Sequence, residues 1–446
     1  MATREAIKTE YLIIGNSAGG VGAVEAIRNV DAHGAITIVS EEPYPAYSRP
    51  LISKYLANER TIEGMLFRLP DFYKQYNICL LAGRRAIRIE PTRNVVQLES
   101  GEQIIWQKLL LATGSIPIIP KISGIGKKGV FNFLTINDAQ RIAGSIKPGQ
   151  HALVVGGGLI GISVTEALKK RGVRTTIVEM KNRILNTILD EEGSSIAEDA
   201  LKKAGISIIT SHTVSTIVGN SAVEGIILDS GEEITCDLVV IAIGVLPRTE
   251  LAVNTELEVH RGIVVDRYMA TNLPNVYACG DVAEAYDFIH NSNRSTPIWP
   301  NAYEGGRAAG YNMAGVRTEY SGGTAMNSLN YFGIDIVAAG VVTTSDNDRY
   351  EVLAKRSDGI YKRLVLNDDY ITGMVFIGEI DKSGIIFSLM RDHINVRAFK
   401  KDLLSDSFGL AYFPRQVWQE RLGTAPLYTV PVLASAAETE EPLSGE

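Results

Sequence analysis

Two glycine-rich strand–turn–helix segments, Gly15 and Gly156 marking turns about 140 residues apart, constrain this chain more than any other feature. The first passes from the apolar run 11–14 into Gly15, Asn16, Ser17, Ala18, Gly19 and Gly20, and closes on Glu41 after a second apolar run at 36–40. The second passes from 152–155 into Gly156, Gly157, Gly158, Leu159, Ile160 and Gly161, and closes on Glu179 after 175–178. Glycine is required where the chain turns tightly and where backbone approaches phosphate. The helix that follows turns its free N–H groups and partial positive charge toward a pyrophosphate. An acid about 20 residues further on accepts the ribose hydroxyls. One such segment is weak evidence, because glycine-rich turns are common. Two of them, each inside a βαβ pattern, imply two dinucleotides in one chain, which makes sense mainly if electrons pass between them.

The first fingerprint departs from the usual form, since Ser17 stands where a second glycine is expected. Its Cβ and hydroxyl predict a wider turn or a direct hydrogen bond to phosphate. In the second, the Glu179 carboxylate would repel a 2′-phosphate and so favours NADH over NADPH. Lys181 and Arg183 follow closely and bring charges that tolerate such a phosphate.

A length of 446 residues predicts about two to four domains. The net charge of −7 argues against a nucleic-acid partner, which needs a basic surface. The chain shows no run of about 18 apolar residues and no apolar leader after Met1, so a membrane span is not expected and the cytoplasm is the expected location. Cys79, Cys236 and Cys279 are too far apart for a Cys-x-x-Cys site, which argues against a bound metal or cluster, and each sits in or beside an apolar run that predicts a small buried side chain.

The expected fold class is α/β: two doubly wound, Rossmann-like dinucleotide-binding domains and a C-terminal α+β domain. Residues 1–118 and 251–322 form the two parts of the first nucleotide domain. Residues 119–250 form the second, and 323–425 a C-terminal domain built on antiparallel strands such as 334–337, 363–366 and 370–375. The acidic stretch 426–446 is expected to be a disordered tail. Both nucleotide domains end alike, in an apolar strand followed by Gly-x-x-Pro: Ala112, Thr113, Gly114 to Pro117, and Ile243, Gly244 to Pro247. This pairing points to a duplication. A further pair, Gly280 and Asp281, ends the strand at 276–279. It places a short carboxylate where ligands meet a parallel sheet, or caps the helix after it; the two roles are compatible.

These motifs together resemble the pyridine-nucleotide-dependent FAD oxidoreductases of the disulfide-reductase structural superfamily, across nearly the whole chain. The resemblance implies FAD on the first fingerprint with Glu41, Ala112, Thr113, Gly114, Gly280 and Asp281, and NAD(H) on the second with Glu179 and Gly244. The segment 45–56 decides the branch, because the disulfide reductases carry a redox cysteine there and this chain has none before Cys79. Its Tyr-x-Arg-Pro…Ser-Lys pattern is similar to rubredoxin reductases, ferredoxin reductases of oxygenase systems and the flavoprotein part of nitrite reductases. In those relatives the residue matching Arg49 lies near the FAD pyrophosphate and that matching Lys54 near the isoalloxazine. Trp299 matches a position beside flavin and nicotinamide. Many relatives place a glutamate, partner of the lysine, where this chain has Ser163, so Lys54 is expected to find another partner.

The resemblance implies hydride transfer between NAD(H) and FAD, with single electrons exchanged with an external iron–sulfur protein of ferredoxin or rubredoxin type. Two alternatives stand beside it: a stand-alone NADH oxidase, and a flavoprotein wiring subunit of a larger metalloenzyme complex. The C-terminal domain would serve a homodimer or dock an iron–sulfur partner. The basic run from Arg391 to Lys401 is a candidate docking face or simply a solvated helix face.

Overall fold

Ile7–Ile14 is the central strand of a seven-stranded sheet, pairing in parallel with Ile36–Ser40 on one side and Gln103–Leu111 on the other. This computed structural model describes residues 6–344 and 349–413. The acidic stretch 426–446 and the end of the segment 323–425 lie outside the described residues. All five residues of Ile36–Ser40 are buried, as expected of a parallel strand covered on both faces. Ile78–Ala82 extends the sheet at one edge, Val276–Ala278 adds a parallel strand beside Gln103–Leu111, and Val95–Leu98 with Ala86–Glu90 forms an antiparallel flap. The chain thus returns at 276–278 to complete a sheet begun at residue 7.

Small residues bring the first fingerprint helix, Ala18–Arg28, against the long helix Trp299–Met313. A Cβ on Gly306 would lie 2.0 Å from the Gly19 carbonyl oxygen, and one on Gly310 would lie 2.4 Å from that of Ala23. Substitution at either contact forces backbones apart, which explains the Ala-Gly-Gly-Val-Gly spelling of this helix.

The second nucleotide unit is an all-parallel five-stranded sheet. Its order is Ser207–Thr210, Arg174–Glu179, His151–Val155, Leu238–Ile241, Val130–Asn132, and a three-stranded antiparallel meander at 214–235 lies against it. The two Gly-x-x-Pro endings meet each other: Ser115–Pro117 and Val245–Pro247 form a two-stranded antiparallel ribbon between the units.

The C-terminal sheet is antiparallel and five-stranded, ordered Met326–Tyr331, Ile334–Gly340, Tyr370–Ile377, Ile360–Asn367, Glu351–Ser357, and is backed by the helix Ser383–Arg391. It docks on the second nucleotide unit. Ile336, Ala338, Val375 and Ile377 share one buried cluster with Ile184, Leu185 and Ala197. At its edge Asp190 caps the helix Glu191–Lys203 and accepts the Tyr361 hydroxyl at 2.5 Å.

Two expectations fail here. Cys79 is exposed, whereas Cys236 and Cys279 are buried. Its strand is the sheet edge, where alternate side chains face water. The basic run 391–401 is not a helix face, because the helix ends at Arg391. Much of its charge is answered within the domain: Lys400 lies 2.7 Å from both Glu351 and Asp369, and Arg397 lies 3.3 Å from Asp369.

Candidate functional site

Both fingerprints open onto one continuous cleft of about 1340 Å³ between the nucleotide units. A pocket for one small ligand rarely exceeds about 1,000 Å³, so the space suits two extended dinucleotides.

At the first fingerprint Gly15 has φ +126°, and a Cβ there would sit 2.0 Å from the Ala112 carbonyl oxygen. Gly20 has the same constraint within its own turn, 2.1 Å from the Gly15 oxygen. Ser17 occupies the N-cap position, extended at φ −131°, and makes no capping hydrogen bond, so its hydroxyl is left facing the cleft with Ala18. The equivalent position in the second fingerprint, Gly158, is also the N-cap, and a Cβ there meets nothing within 4 Å. The fold has room for a side chain at that point, which is why Ser17 is tolerated there.

Glu41 ends the strand Ile36–Ser40 at the cleft mouth, where Arg248 pairs with it at 2.5 Å and Arg85 lies 3.9 Å away. Ala112, Thr113 and Gly114 line the floor; Gly114 has φ +74° and its carbonyl accepts the Arg248 N–H at 2.9 Å. Gly280, at φ +74°, turns Asp281 into the cleft. The Asp281 carboxylate caps no long helix, since Trp299–Met313 is capped by Ile298, and it instead accepts the Ser115 hydroxyl at 2.8 Å. Burial raises its pKa above the usual carboxylate value, opposed by that hydrogen bond and by Arg49. Arg49 lies between carboxylates: its guanidinium is bonded to Glu42 and to the Leu134 carbonyl and is held charged near Asp281, although burial works against its charge. Trp299 begins its helix on the cleft wall and packs edge-on to Phe67, ring centres 5.1 Å apart.

In the second fingerprint Gly156 has φ +109°, and a Cβ there would lie 2.4 Å from the Ala242 oxygen. One on Gly161 would lie 1.9 Å from the Gly156 oxygen. Leu159, Ile160 and Gly244 line the cleft beside them. Glu179 is buried, accepting the Gly157 N–H at 2.7 Å through one oxygen and the Lys181 N–H at 2.8 Å through the other. A carboxylate offers about four acceptor positions, so two remain for ribose hydroxyls. Lys181 lines the cleft; Arg183 does not and turns to Asn182 at 3.3 Å.

The cleft wall leaves out three expected residues. Gly20 and Gly161 support the turns from behind, in keeping with a glycine that permits close helix–strand packing. Lys54, on the short helix Ile52–Leu56, is not among the lining residues and pairs with Glu59 at 3.3 Å and Glu166 at 3.8 Å. The partner expected in place of Ser163 is thus Glu166, one turn further along the second fingerprint helix Leu159–Lys170. Sequence reasoning missed Arg248, Ser115, Glu42 and Tyr331, all on the wall. For Glu42 and Arg248 a signal existed in their placement, one residue past Glu41 and one past Pro247. Tyr331, from the C-terminal sheet, had none.

The cradles that exclude any Cβ at Gly15 and Gly156, the half-buried Asp281 and the acid closing each βαβ unit fit two dinucleotides. Residues 9–306 match the pyridine nucleotide-disulphide oxidoreductase family, and 326–394 match the rubredoxin NAD+ reductase C-terminal domain. The chain is 30% identical over 400 residues to nitrite reductase [NAD(P)H] of Bacillus subtilis, covering 88% of this chain and 48% of that protein. It therefore spans about half the length of that relative. It is 29% identical over 372 residues to NADH-rubredoxin oxidoreductase of Clostridium acetobutylicum, covering 83% of this chain and 92% of that one. The crystal structure of NADH:rubredoxin oxidoreductase from the same organism superposes with a TM-score of 0.74 at 26% identity, over 88% of this chain and 97% of the other. Two nucleotide-binding units around one cleft, matched in sequence along this length, place the chain in the pyridine nucleotide-disulphide oxidoreductase family, with FAD and NAD(H) as its cofactors.

Proposed function

We propose that the protein passes electrons between NADH and an external iron–sulfur protein, with FAD on the first fingerprint and NAD(H) on the second. The observation that carries this reading concerns sulfur. Among the described residues the one cysteine on the cleft wall is Cys279, fully buried beneath Gly19, its thiol pushed up to about 12 by burial and by Asp281. A thiol in that state forms no thiolate nucleophile and has no second cysteine beside it, so the cleft holds no dithiol relay. Electrons entering as hydride must leave from the flavin itself.

FAD, when bound, supplies the exchange between two-electron and one-electron chemistry. The chain's own residues do the rest. Ser17 and the first turn of the helix Ala18–Arg28 hold one pyrophosphate, with Arg49 neutralising it from across the cleft. Asp281 and Glu41 fix the sugar hydroxyls. Glu179 holds the NADH ribose and, carrying a negative charge, selects against a 2′-phosphate. Trp299 walls the reaction region against water. Such alignment, to within about 3–3.5 Å, is what hydride transfer requires of a protein.

Among the described residues no helix is long and apolar enough to cross a membrane, and we assign the protein to the cytoplasm, beside soluble carriers. A second reading, a flavoprotein subunit of a larger enzyme, draws support from a 30% identical relative, over 385 residues, described as an NADH-dependent phenylglyoxylate dehydrogenase subunit epsilon from Aromatoleum evansii. The two readings share every residue role above and differ only in whether the acceptor is permanently bound. The test is anaerobic reduction of the flavin-loaded protein by NADH, followed by reoxidation with air, with a ferredoxin or with a rubredoxin. Reoxidation by an iron–sulfur protein at least about tenfold faster than by air is expected; air alone matching it would make the protein an oxidase.

A further inference from the structure

The first hairpin of the C-terminal sheet ends on the side of the second fingerprint helix. Met326–Tyr331 turns at Phe332 and Gly333 into Ile334–Gly340, with φ +50° and +81° at the two turn residues. A two-residue turn of this kind prefers asparagine and glycine; phenylalanine there is held in the left-handed region by its surroundings. Those surroundings are two successive turns of the helix Leu159–Lys170. The Phe332 N–H donates to Glu166 at 3.3 Å, and Glu166 is engaged by Lys170 at 3.4 Å and Lys54 at 3.8 Å. One turn closer to the phosphate-binding end stands Ser163; burial raises the pKa of the Tyr331 phenol, and the Ser163 hydroxyl opposes the shift. Ser163 and Tyr331 both line the cleft, and among the described residues of the C-terminal sheet only Tyr331 does.

A dinucleotide with its pyrophosphate at Gly158 and its adenosine ribose at Glu179 has to lay its other half along the cleft beyond Leu159 and Ile160. Ser163 is the next cleft residue on that helix. We propose that Tyr331, on the same cleft wall as Ser163, forms part of the surface against which the nicotinamide half of NAD(H) is positioned, so that the C-terminal hairpin is a working component of the second nucleotide site. Lys54 is drawn out of the cleft toward Glu59 and Glu166, and the wall at this point presents two neutral hydroxyls in place of an ion pair. The proposal rests on the assignment of NAD(H) to the second fingerprint. Tyr331 is a positioning residue.

The test compares two probes that share the adenosine half: NAD+ and ADP-ribose, each titrated into the oxidised, flavin-loaded protein and read from the flavin absorbance. Tyr331→Ala is expected to weaken NAD+ about tenfold while leaving ADP-ribose within about twofold. Tyr331→Phe and Ser163→Ala are expected to give a smaller loss confined to NAD+. If Tyr331→Ala does not retain FAD, the Phe and Ser163 variants decide alone. Parallel changes in NAD+ and ADP-ribose affinity, or no change in either, would overturn the proposal. Failure of NADH to reduce the unaltered protein would instead defeat the electron-transfer reading, and this binding comparison is independent of it.

Discussion

Replacing Glu179 with glutamine removes a charge and keeps an acceptor, and the surrounding bonds determine what that does. Its two oxygens take the N–H groups of Gly157 and Lys181 at 2.7 and 2.8 Å. Glu179→Ala would leave both N–H groups without that partner, at about 1–3 kcal/mol for each that stays dry, and would disturb the turn as well as the selectivity. Glu179→Gln keeps one of the two and should cost about 1 kcal/mol of stability. The electrostatic side is larger. A carboxylate and a phosphate charge about 4 Å apart repel by about 4 kcal/mol at an effective dielectric constant near 20. Lys181, on the same wall, offsets part of this. A net penalty of about 1.5–3 kcal/mol against NADPH remains, or a preference for NADH of roughly 10–150-fold. Dissociation constants for NADH and NADPH, measured on the flavin-loaded protein under anaerobic conditions, should show that preference and its fall to below about fivefold in Glu179→Gln. A Glu179→Gln protein that melts normally and keeps the full preference would refute the reasoning.

Asp281 and Lys54 give two further expectations. Burial raises the Asp281 pKa in the folded protein, so its ionisation works against the FAD-free fold: the stability it contributes is present at low pH and is lost as pH rises through the raised value. The FAD-free Asp281→Asn protein should therefore melt higher than the unaltered one near pH 7.5, with the gap narrowing toward pH 4, while its FAD retention falls; equal melting curves at both pH values would remove the argument. Lys54→Ala takes away two ion pairs of 3.3 and 3.8 Å on the outer side of the helix junction, and Lys170 remains beside the same carboxylates. Its stability cost should be at most about 1 kcal/mol, and its rate of flavin reduction by NADH should stay within about twofold of the unaltered protein in stopped-flow traces; a loss of about a hundredfold would put the lysine back at the flavin.

The two fingerprint turns and their closing acids were legible because their geometry is local. A tight turn, a close approach and an acid at the end of the next strand are all set within about 30 residues of chain, and Gly15, Gly156, Glu41 and Glu179 sit where that spacing predicts. Gly20 and Gly161 belong to the same pattern, but sequence does not separate a glycine that touches phosphate from one that lets helix and strand meet. Lys54 shows a different gap: the direction of its side chain depends on Glu166, more than a hundred positions away, and on how a five-residue helix is rolled. Tyr331 reaches the cleft only through the docking of a separate sheet, and its neighbour Phe332 breaks the ordinary turn preference that would have marked the hairpin. Cys79 looked buried because its run is apolar; which strand ends a sheet is a property of the strand order.

The ribbon of Ser115–Pro117 against Val245–Pro247 has a consequence for how such a molecule can be assembled and altered. Because Pro117 faces Val245 and the Ile118 N–H donates to the Gly244 carbonyl at 3.0 Å, the chain enters and leaves the second unit at a single point. Residues 118–244 are a cassette threaded into a host whose broken ends already touch. Removing or exchanging that cassette asks almost nothing of the host in loop closure. A hybrid carrying another dinucleotide-binding cassette between the same two strands would exchange the second fingerprint while the host keeps its own sheet.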